Sequence, residues 1–347
     1  MQAAHQTTAA LTAASTGDAA GAMRAVVHRR YGTPDVLELG ETERPVPGDE
    51  DVLVHVHAAA VTIGDHHMVT GKPYLVRLSP YGGLPGPRNK VPGGALAGRV
   101  HAVGAKVTGF RAGDEVFGQA MAGAFAEYAV VPAAALVLKP HNLSMEEAAT
   151  VPWAATALQG LREAGQVTAG QRVLINGASG GVGTWAVQIA RALGAEVTAV
   201  CSARNAELVR SLGAAEVIDY AKEDFVGGGA RFDVMLDLVG NRALSDCLRV
   251  LNPKGVYVAC GGGGGDWLGP LPRFAGMGLR SLFSSQRLRT FFSDPKQKEL
   301  LFLKELVEAG KARPVIERSW ALSEIAEALR HVGEGHSRGQ SVVRVAG

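Results

Sequence analysis

Residues 172–204 read RVLINGASGGVGTWAVQIARALGAEVTAVCSAR, and the order of residue types in this stretch decides the fold. Val173, Leu174 and Ile175 form an apolar run that enters a glycine-rich turn. Trp185, Ile189, Ala192 and Leu193 then recur at helical spacing, and Gly194 closes the segment. A second β-rich run, Val197 to Cys201, follows at once. Strand, tight turn, helix and strand in this order make a βαβ unit with a right-handed crossover and parallel strands. The turn itself, Ala178-Ser179-Gly180-Gly181-Val182-Gly183, fits the pattern G-x-G-x-x-G with alanine in the first place. Gly180 lacks a Cβ, so a pyrophosphate can approach its backbone. Gly183 lets the helix pack close to the sheet, and the free N–H groups at the helix N-terminus form an anion site. With strand, helix and second strand all in place, the turn is read as a dinucleotide site rather than a plain connector.

The end of the second strand says which dinucleotide. Folds specific for NAD carry an Asp or Glu about 20 residues after the glycine motif, where it binds the ribose 2′-OH and repels a 2′-phosphate. Counting on from Gly183 reaches Ser202, with Arg204 two residues later and no acid between Val197 and Ala206. The expected cofactor is therefore NADPH. Arg204 offers a forked donor, Ser202 a hydroxyl, and Arg338 in the C-terminal segment is a further candidate. The alternative, a solvated arginine beside a satisfied serine, stays open.

The composition suits an enzyme of two domains. At roughly 150 residues per domain, 347 residues allow two units, each able to bury a core. Lys and Arg number 35 against 33 Asp and Glu, a net charge of +2, so no basic field points to nucleic acid or to a membrane surface. No apolar run approaches the roughly 18 residues that span a bilayer. The first 22 residues are rich in Ala and Thr and hold no Lys or Arg. They lack the positive start of a secretory signal and are expected to be a flexible tail of a cytoplasmic protein. Met23 opens the patterned sequence.

From there to about residue 140 the texture is β. Short apolar or alternating runs (Val52 to Val56, Ala97 to Val103, Glu127 to Val131) are broken by Gly-Pro and Gly-Asp turns, with no long helical pattern between them. Helical periodicity begins near Ser144, which with Glu147 makes a capping box. The series then continues with a helix from about Ala206 to Leu212 and strands over Glu216–Tyr220 and Asp233–Val239. A helix from about Arg242 to Leu251, stopped by Pro253, and a strand Val256–Cys260 follow. After Gly261 to Gly265 the pattern loosens. Pro314 to Val345 returns to β with one helix near Ser323 to His331, and this end is expected to rejoin the first domain.

The stretches RAVVHRRYGTPDVLEL, VLVHVHAAAVTIGD, ALAGRVHAVGAKVTGFRAGDEVFG, GAFAEYAVVP, EEAATVPWAATALQGL and INGASGGVG resemble, in order and spacing, the medium-chain dehydrogenase/reductase superfamily in its zinc-independent, quinone oxidoreductase-like branch. The resemblance runs from about residue 23 to 345. It implies an α/β protein with a GroES-like, mainly β catalytic domain and a Rossmann domain whose doubly wound parallel sheet binds NADP. The catalytic domain would take residues 23–147, the Rossmann domain 148–290, and residues 291–347 would return to the catalytic domain, commonly in a homodimer. Tyr220 resembles a phosphate-contacting tyrosine of the family. Asp237 to Gly240, Val239 among them, and the glycines from Gly261 and Gly262 resemble the strand-end segments that face the cofactor.

Within that superfamily the first fork is zinc. A catalytic zinc takes three protein ligands from Cys, His or Asp/Glu, but the three cysteines here (Cys201, Cys247, Cys260) all lie in the Rossmann half. Thr62 stands where zinc-dependent relatives carry their first cysteine ligand. His66 and His67 are adjacent, so their side chains point apart, and no metal is expected. Without a metal to polarise an unactivated carbonyl, hydride delivery to an activated C=C or a quinone becomes the expected reaction, since a hydrogen-bond donor then suffices.

The chain departs from the branch at two places. Val61-Thr62-Ile63-Gly64-Asp65 has threonine for the usual asparagine, and Gly93-Gly94-Ala95-Leu96-Ala97-Gly98 has alanine for the usual acid. Thr62 is a candidate donor to the cofactor ribose or the substrate carbonyl, and Asp65 is a candidate base or an anchor of its loop. Tyr74 and Tyr81, in the Gly/Pro-rich loop GKPYLVRLSPYGGLPGPRNK, are candidate proton donors or lid residues. Two other readings stay open on the same fold: a non-redox cyclase or isomerase, and an NADP-binding protein without turnover.

Overall fold

A computed structural model of the chain describes residues 21–261 and 265–346. The tail expected over residues 1–22 lies outside the described residues except for its last two. Ala22 already belongs to a strand, Ala22–Val27, which pairs antiparallel with Glu38–Glu43, so the folded part begins before Met23.

The apolar runs from residue 172 onward form a six-stranded sheet whose neighbours are all parallel. Its strands are Arg172–Asn176, Glu196–Cys201, Glu216–Asp219, Phe232–Asp237, Leu251–Ala259 and Arg287–Thr290. In space they lie in the order third, second, first, fourth, fifth, sixth. This is the doubly wound order, in which ligands bind outside the carboxyl ends of the first and fourth strands, where the order reverses. Both faces are covered. Val173 and Ile175 point into a core with Trp185, Ile189 and Leu300, whereas Leu174 points into another with Phe232, Met235 and Tyr257, as the two-residue period of a strand requires.

The second sheet has the strand Asp51–Val61 at its centre, paired antiparallel with Ala95–Val103, Tyr128–Pro132 and Gln340–Arg344. Ala95–Val103 continues to Glu115–Gln119 and then Leu136–Leu138, and Ile316–Ala321 adds a parallel edge beside Gln340–Arg344. The chain's end thus lies against its first third, with Ser341 opposite Val61. The helix Met145–Leu158 opens on the capping box of Ser144 and Glu147 and packs against both the central strand and the helix Gly181–Ala192.

Several elements differ from the sequence expectation. A helix, Ile63–Thr70, interrupts the β texture; it buries only Asp65 and Val69, so it carries no apolar stripe to betray it. The helix expected over Arg242–Leu251 spans only Leu244–Arg249. The next strand begins at Leu251 and contains Pro253, because the pairing with Phe232–Asp237 shifts register there and needs no N–H from proline. The strand expected to reach Tyr220 ends at Asp219. The stretch expected to be loose holds the helices Leu271–Ser281 and Gln297–Glu308, the second burying Leu300, Leu303 and Val307.

Candidate functional site

The glycine motif stands at the carboxyl end of Arg172–Asn176, at the reversal point of the sheet. Gly177 turns the chain at φ +88°, Ala178 is buried, and Gly180 caps the helix Gly181–Ala192. A methyl at Gly183 would stand 2.1 Å from the Gly177 carbonyl oxygen, whereas one at Gly180 would meet nothing nearer than 3.7 Å. Gly183 is therefore required by packing and Gly180 leaves an open approach. The first-turn N–H groups of Gly181, Val182 and Gly183 have no acceptor within the helix. N–H groups left over at a helix head, here those of Val182 and Gly183 above all, suit an anionic group.

The residues expected at the 2′-phosphate are gathered beside this helix head. Gly339 N donates to Ser179 O at 2.8 Å and forms a bridge with Gly180, which sets Arg338 next to the motif. Arg204 Nη2 donates to His336 O at 3.0 Å, so Arg204 is tied to the C-terminal segment that carries Arg338. Arg338 also lines a hollow of about 330 Å³ with Leu208, Val315, Ile316 and Glu317. Tyr220 is exposed, and its N–H donates to Cys201 O, next to Ser202. Sequence reasoning missed Asn205. Its Nδ2 donates to Ser179 Oγ at 2.9 Å, and its Oδ1 is buried without a protein partner, an unmet acceptor that a bound hydroxyl or amine would satisfy. The signal for it was a polar residue directly after Arg204.

On the other side of the reversal point lies a buried polar junction. Asp237, at the end of its strand, accepts from Asn176 Nδ2 at 2.9 Å, Gly240 N at 2.8 Å, Val239 N at 3.2 Å and the Tyr257 hydroxyl at 2.6 Å. Burial and the Asp237 charge push the Tyr257 hydroxyl well above its usual range, so it remains a donor. Val239 lies over Gly177, where a methyl would stand 2.7 Å from Val239 Cγ2. Gly261 follows at φ +106°; Gly262 lies outside the described residues. Sequence reasoning missed Asn176 as well; its signal was a polar residue that ends an apolar run.

Across the crevice, Val61 ends the central strand and Thr62 caps the next helix. Thr62 N and Oγ both donate to Asp65 Oδ2, at 2.9 and 2.6 Å, and Asp65 N donates back to Thr62 Oγ at 3.3 Å. Burial pushes the Asp65 carboxyl up to about 6, against the opposing pull of the Thr62 hydrogen bonds. Tyr74 packs edge-on against Trp267, ring centroids 4.9 Å apart, with Arg77 stacked between Tyr74 and Tyr31. Tyr74 N also donates to Asp266 O at 2.6 Å. Tyr81 is exposed and is not brought to Thr62 or Asp65 by any contact described. Among the described residues no three His, Cys, Asp or Glu side chains are grouped to hold a metal ion, and no helix is long and apolar enough to cross a membrane.

Residues 48–141 match the family model "Alcohol dehydrogenase GroES-like domain" and residues 212–343 match "Zinc-binding dehydrogenase". The chain is 34% identical to mouse "NAD(P)H oxidoreductase RTN4IP1, mitochondrial" over 93% of its length and 89% of the relative's. It is 32% identical to tomato "2-methylene-furan-3-one reductase", covering 92% of this chain and 79% of that one. Among solved structures, the quinone oxidoreductase from Coxiella burnetii superposes with a TM-score of 0.82 at 29% identity, over 94% of this chain and all of the other, 100%. A GroES-like unit facing a Rossmann sheet that carries this glycine motif defines an oxidoreductase using a nicotinamide cofactor. The chain belongs to the medium-chain dehydrogenase/reductase superfamily, in its quinone oxidoreductase-like branch.

Proposed function

We propose that the protein is a zinc-independent reductase that uses NADPH to reduce an activated C=C, as in an enone, or a quinone. The observation that carries this reading is the head of the helix Ile63–Thr70. Where zinc-dependent members of the superfamily carry a cysteine, Thr62 is instead locked to a buried carboxylate. When bound, the reduced nicotinamide supplies the hydride. The helix head at Gly180–Gly183 holds the pyrophosphate, Ser202, Arg204, Tyr220 and Arg338 surround the adenosine end, and Val239 and Gly261 border the nicotinamide end. Thr62 Oγ–H donates its hydrogen bond to Asp65 while that carboxyl is ionised. Once Asp65 is protonated its O–H donates to Thr62 Oγ, and the Thr62 hydroxyl is released to face a substrate carbonyl. The proton that completes the reduction comes from solvent or from Tyr74 or Tyr81 at the rim. In this reading residues 23–147 and 291–347 form the substrate half and 148–290 the cofactor half of a cytoplasmic homodimer.

The test is NADPH oxidation against enones, quinones, simple aldehydes and alcohols, together with metal analysis. Conjugated enones or quinones are expected to turn over well above simple aldehydes, and chelators to change nothing. About one zinc per chain, best turnover with simple alcohols, or no hydride transfer to any acceptor would each defeat the proposal.

A further inference from the structure

Arg273 sits on the helix Leu271–Ser281, outside every motif that marked the site in the sequence, yet its guanidinium reaches the reversal point of the parallel sheet. Nη2 donates to Asp237 Oδ2 at 3.0 Å and also to the Tyr257 hydroxyl, which Nε contacts at 3.1 Å. Nη1 donates to Gly240 O at 3.3 Å and to Arg242 O at 2.8 Å. The Asp237 side chain is 0% exposed and that of Arg273 13%. A carboxylate so far from water is tolerated only when it is paired and fully hydrogen-bonded. One side chain therefore ties together a strand end, the backbone of the turn after it and a separate helix. A lysine, with a single nitrogen, cannot reach a carboxylate, a hydroxyl and two carbonyls at once.

The turn that Arg273 grips borders the cofactor crevice. Val239 N and Gly240 N donate to Asp237 Oδ1 from one side, and Arg273 holds Gly240 O and Arg242 O from the other. Gly240 is fixed at φ +70°, in the left-handed region that favours glycine. Val239 is thereby seated over Gly177, the residue just before the glycine motif. We propose that Arg273 is a positioning residue for the nicotinamide half of the cofactor: through Asp237 and the Gly240 carbonyl it sets the height of Val239 above the glycine turn. The proposal rests on the nicotinamide-cofactor reading of the crevice.

The test compares two ligands by fluorescence or calorimetric titration: NADPH, and 2′-phospho-ADP-ribose, which lacks the nicotinamide. If NADH binds better to the wild type, NADH and ADP-ribose replace them. Arg273→Lys is expected to fold, to bind NADPH about tenfold more weakly, the scale of one lost charge-assisted hydrogen bond, and to bind the truncated ligand as the wild type does. Unchanged NADPH affinity makes Arg273 a fold anchor alone and overturns the proposal. An equal loss for both ligands also overturns it, because the effect would not be local to the nicotinamide. Should Arg273→Lys not fold, Tyr257→Phe carries the same comparison by deleting one hydroxyl from the junction. A loss of about threefold confined to NADPH is then expected, and no loss is the overturning result. A wild type that binds NADPH but reduces no acceptor would defeat the reductase reading while leaving this comparison decisive.

Discussion

At Arg204 and Asp65, single side chains set measurable quantities. Arg204 spends one N–H on His336 O, which leaves the rest of its fork for a 2′-phosphate, and no carboxylate lies between Val197 and Ala206 to repel it. A charge-assisted hydrogen bond contributes about 1.5 to 3 kcal/mol, so Arg204→Ala is expected to weaken NADPH roughly tenfold to a hundredfold and to spare NADH. Equal wild-type affinities for the two cofactors, or an unchanged preference in the variant, would count against it. Asp65 makes a prediction about pH. Its folded carboxyl titrates near 6 against an ordinary 3.8, so between about pH 4 and 6 the native state holds a proton that the unfolded chain has lost. Stability from this group is full below pH 4 and falls by about 3 kcal/mol as pH rises through 6. Asp65→Asn keeps an acceptor for Thr62 and cannot ionise. The difference in melting temperature between variant and wild type should grow in the variant's favour from pH 4 to 7, and parallel curves would refute the assignment.

The glycine turn and the helix it opens can be dissected by two methyl groups. At Gly183 the added carbon falls 2.1 Å from Gly177 O and 2.7 Å from the Ala178 carbonyl carbon, so helix and strand must part, at an expected cost of about 1 to 3 kcal/mol or more. At Gly180 the nearest atom is 3.7 Å away, so Gly180→Ala should melt as the wild type does and yet block close approach of a pyrophosphate. Thermal melts paired with NADPH titration read both. Loss of stability at Gly180, or intact stability at Gly183, would reverse the roles given to the two positions. This unit was fully legible in the sequence, because its strand, turn and helix each carry a local signature in consecutive residues. The helix Ile63–Thr70 was not, because a capping box rather than an apolar stripe starts it. Arg273 left no trace at all: it acts 36 residues from Asp237, in a stretch without periodicity.

The two sheets are joined by the helix Met145–Leu158, by the C-terminal segment that runs from Gly339 beside Gly180 to Ser341 beside Val61, and by a strap across the crevice. The first two are continuous backbone within packed cores and hold the halves in register. The strap is different in kind. Strand Leu251–Ala259 ends on the crevice side, and further along the chain Asp266 and Trp267 meet the loop that follows helix Ile63–Thr70. There Tyr74 N donates to Asp266 O and Leu75 N to Trp267 O, and Tyr74 packs on Trp267, which is 74% exposed. Lys72 also pairs with Asp266, but both side chains are about half exposed, so that ion pair adds little and screens with salt. The aromatic pair is the stronger closure, about 0.5 to 1.5 kcal/mol. In the reading proposed above, a cofactor in the crevice leaves past this strap. Trp267→Ala is therefore expected to speed NADPH release roughly twofold to tenfold, the range that this energy sets, whereas raising the salt on the wild type should change the rate far less. Stopped-flow displacement of bound NADPH by excess NADP⁺ measures both, and a release rate untouched by Trp267→Ala would mean that the strap does not gate the crevice.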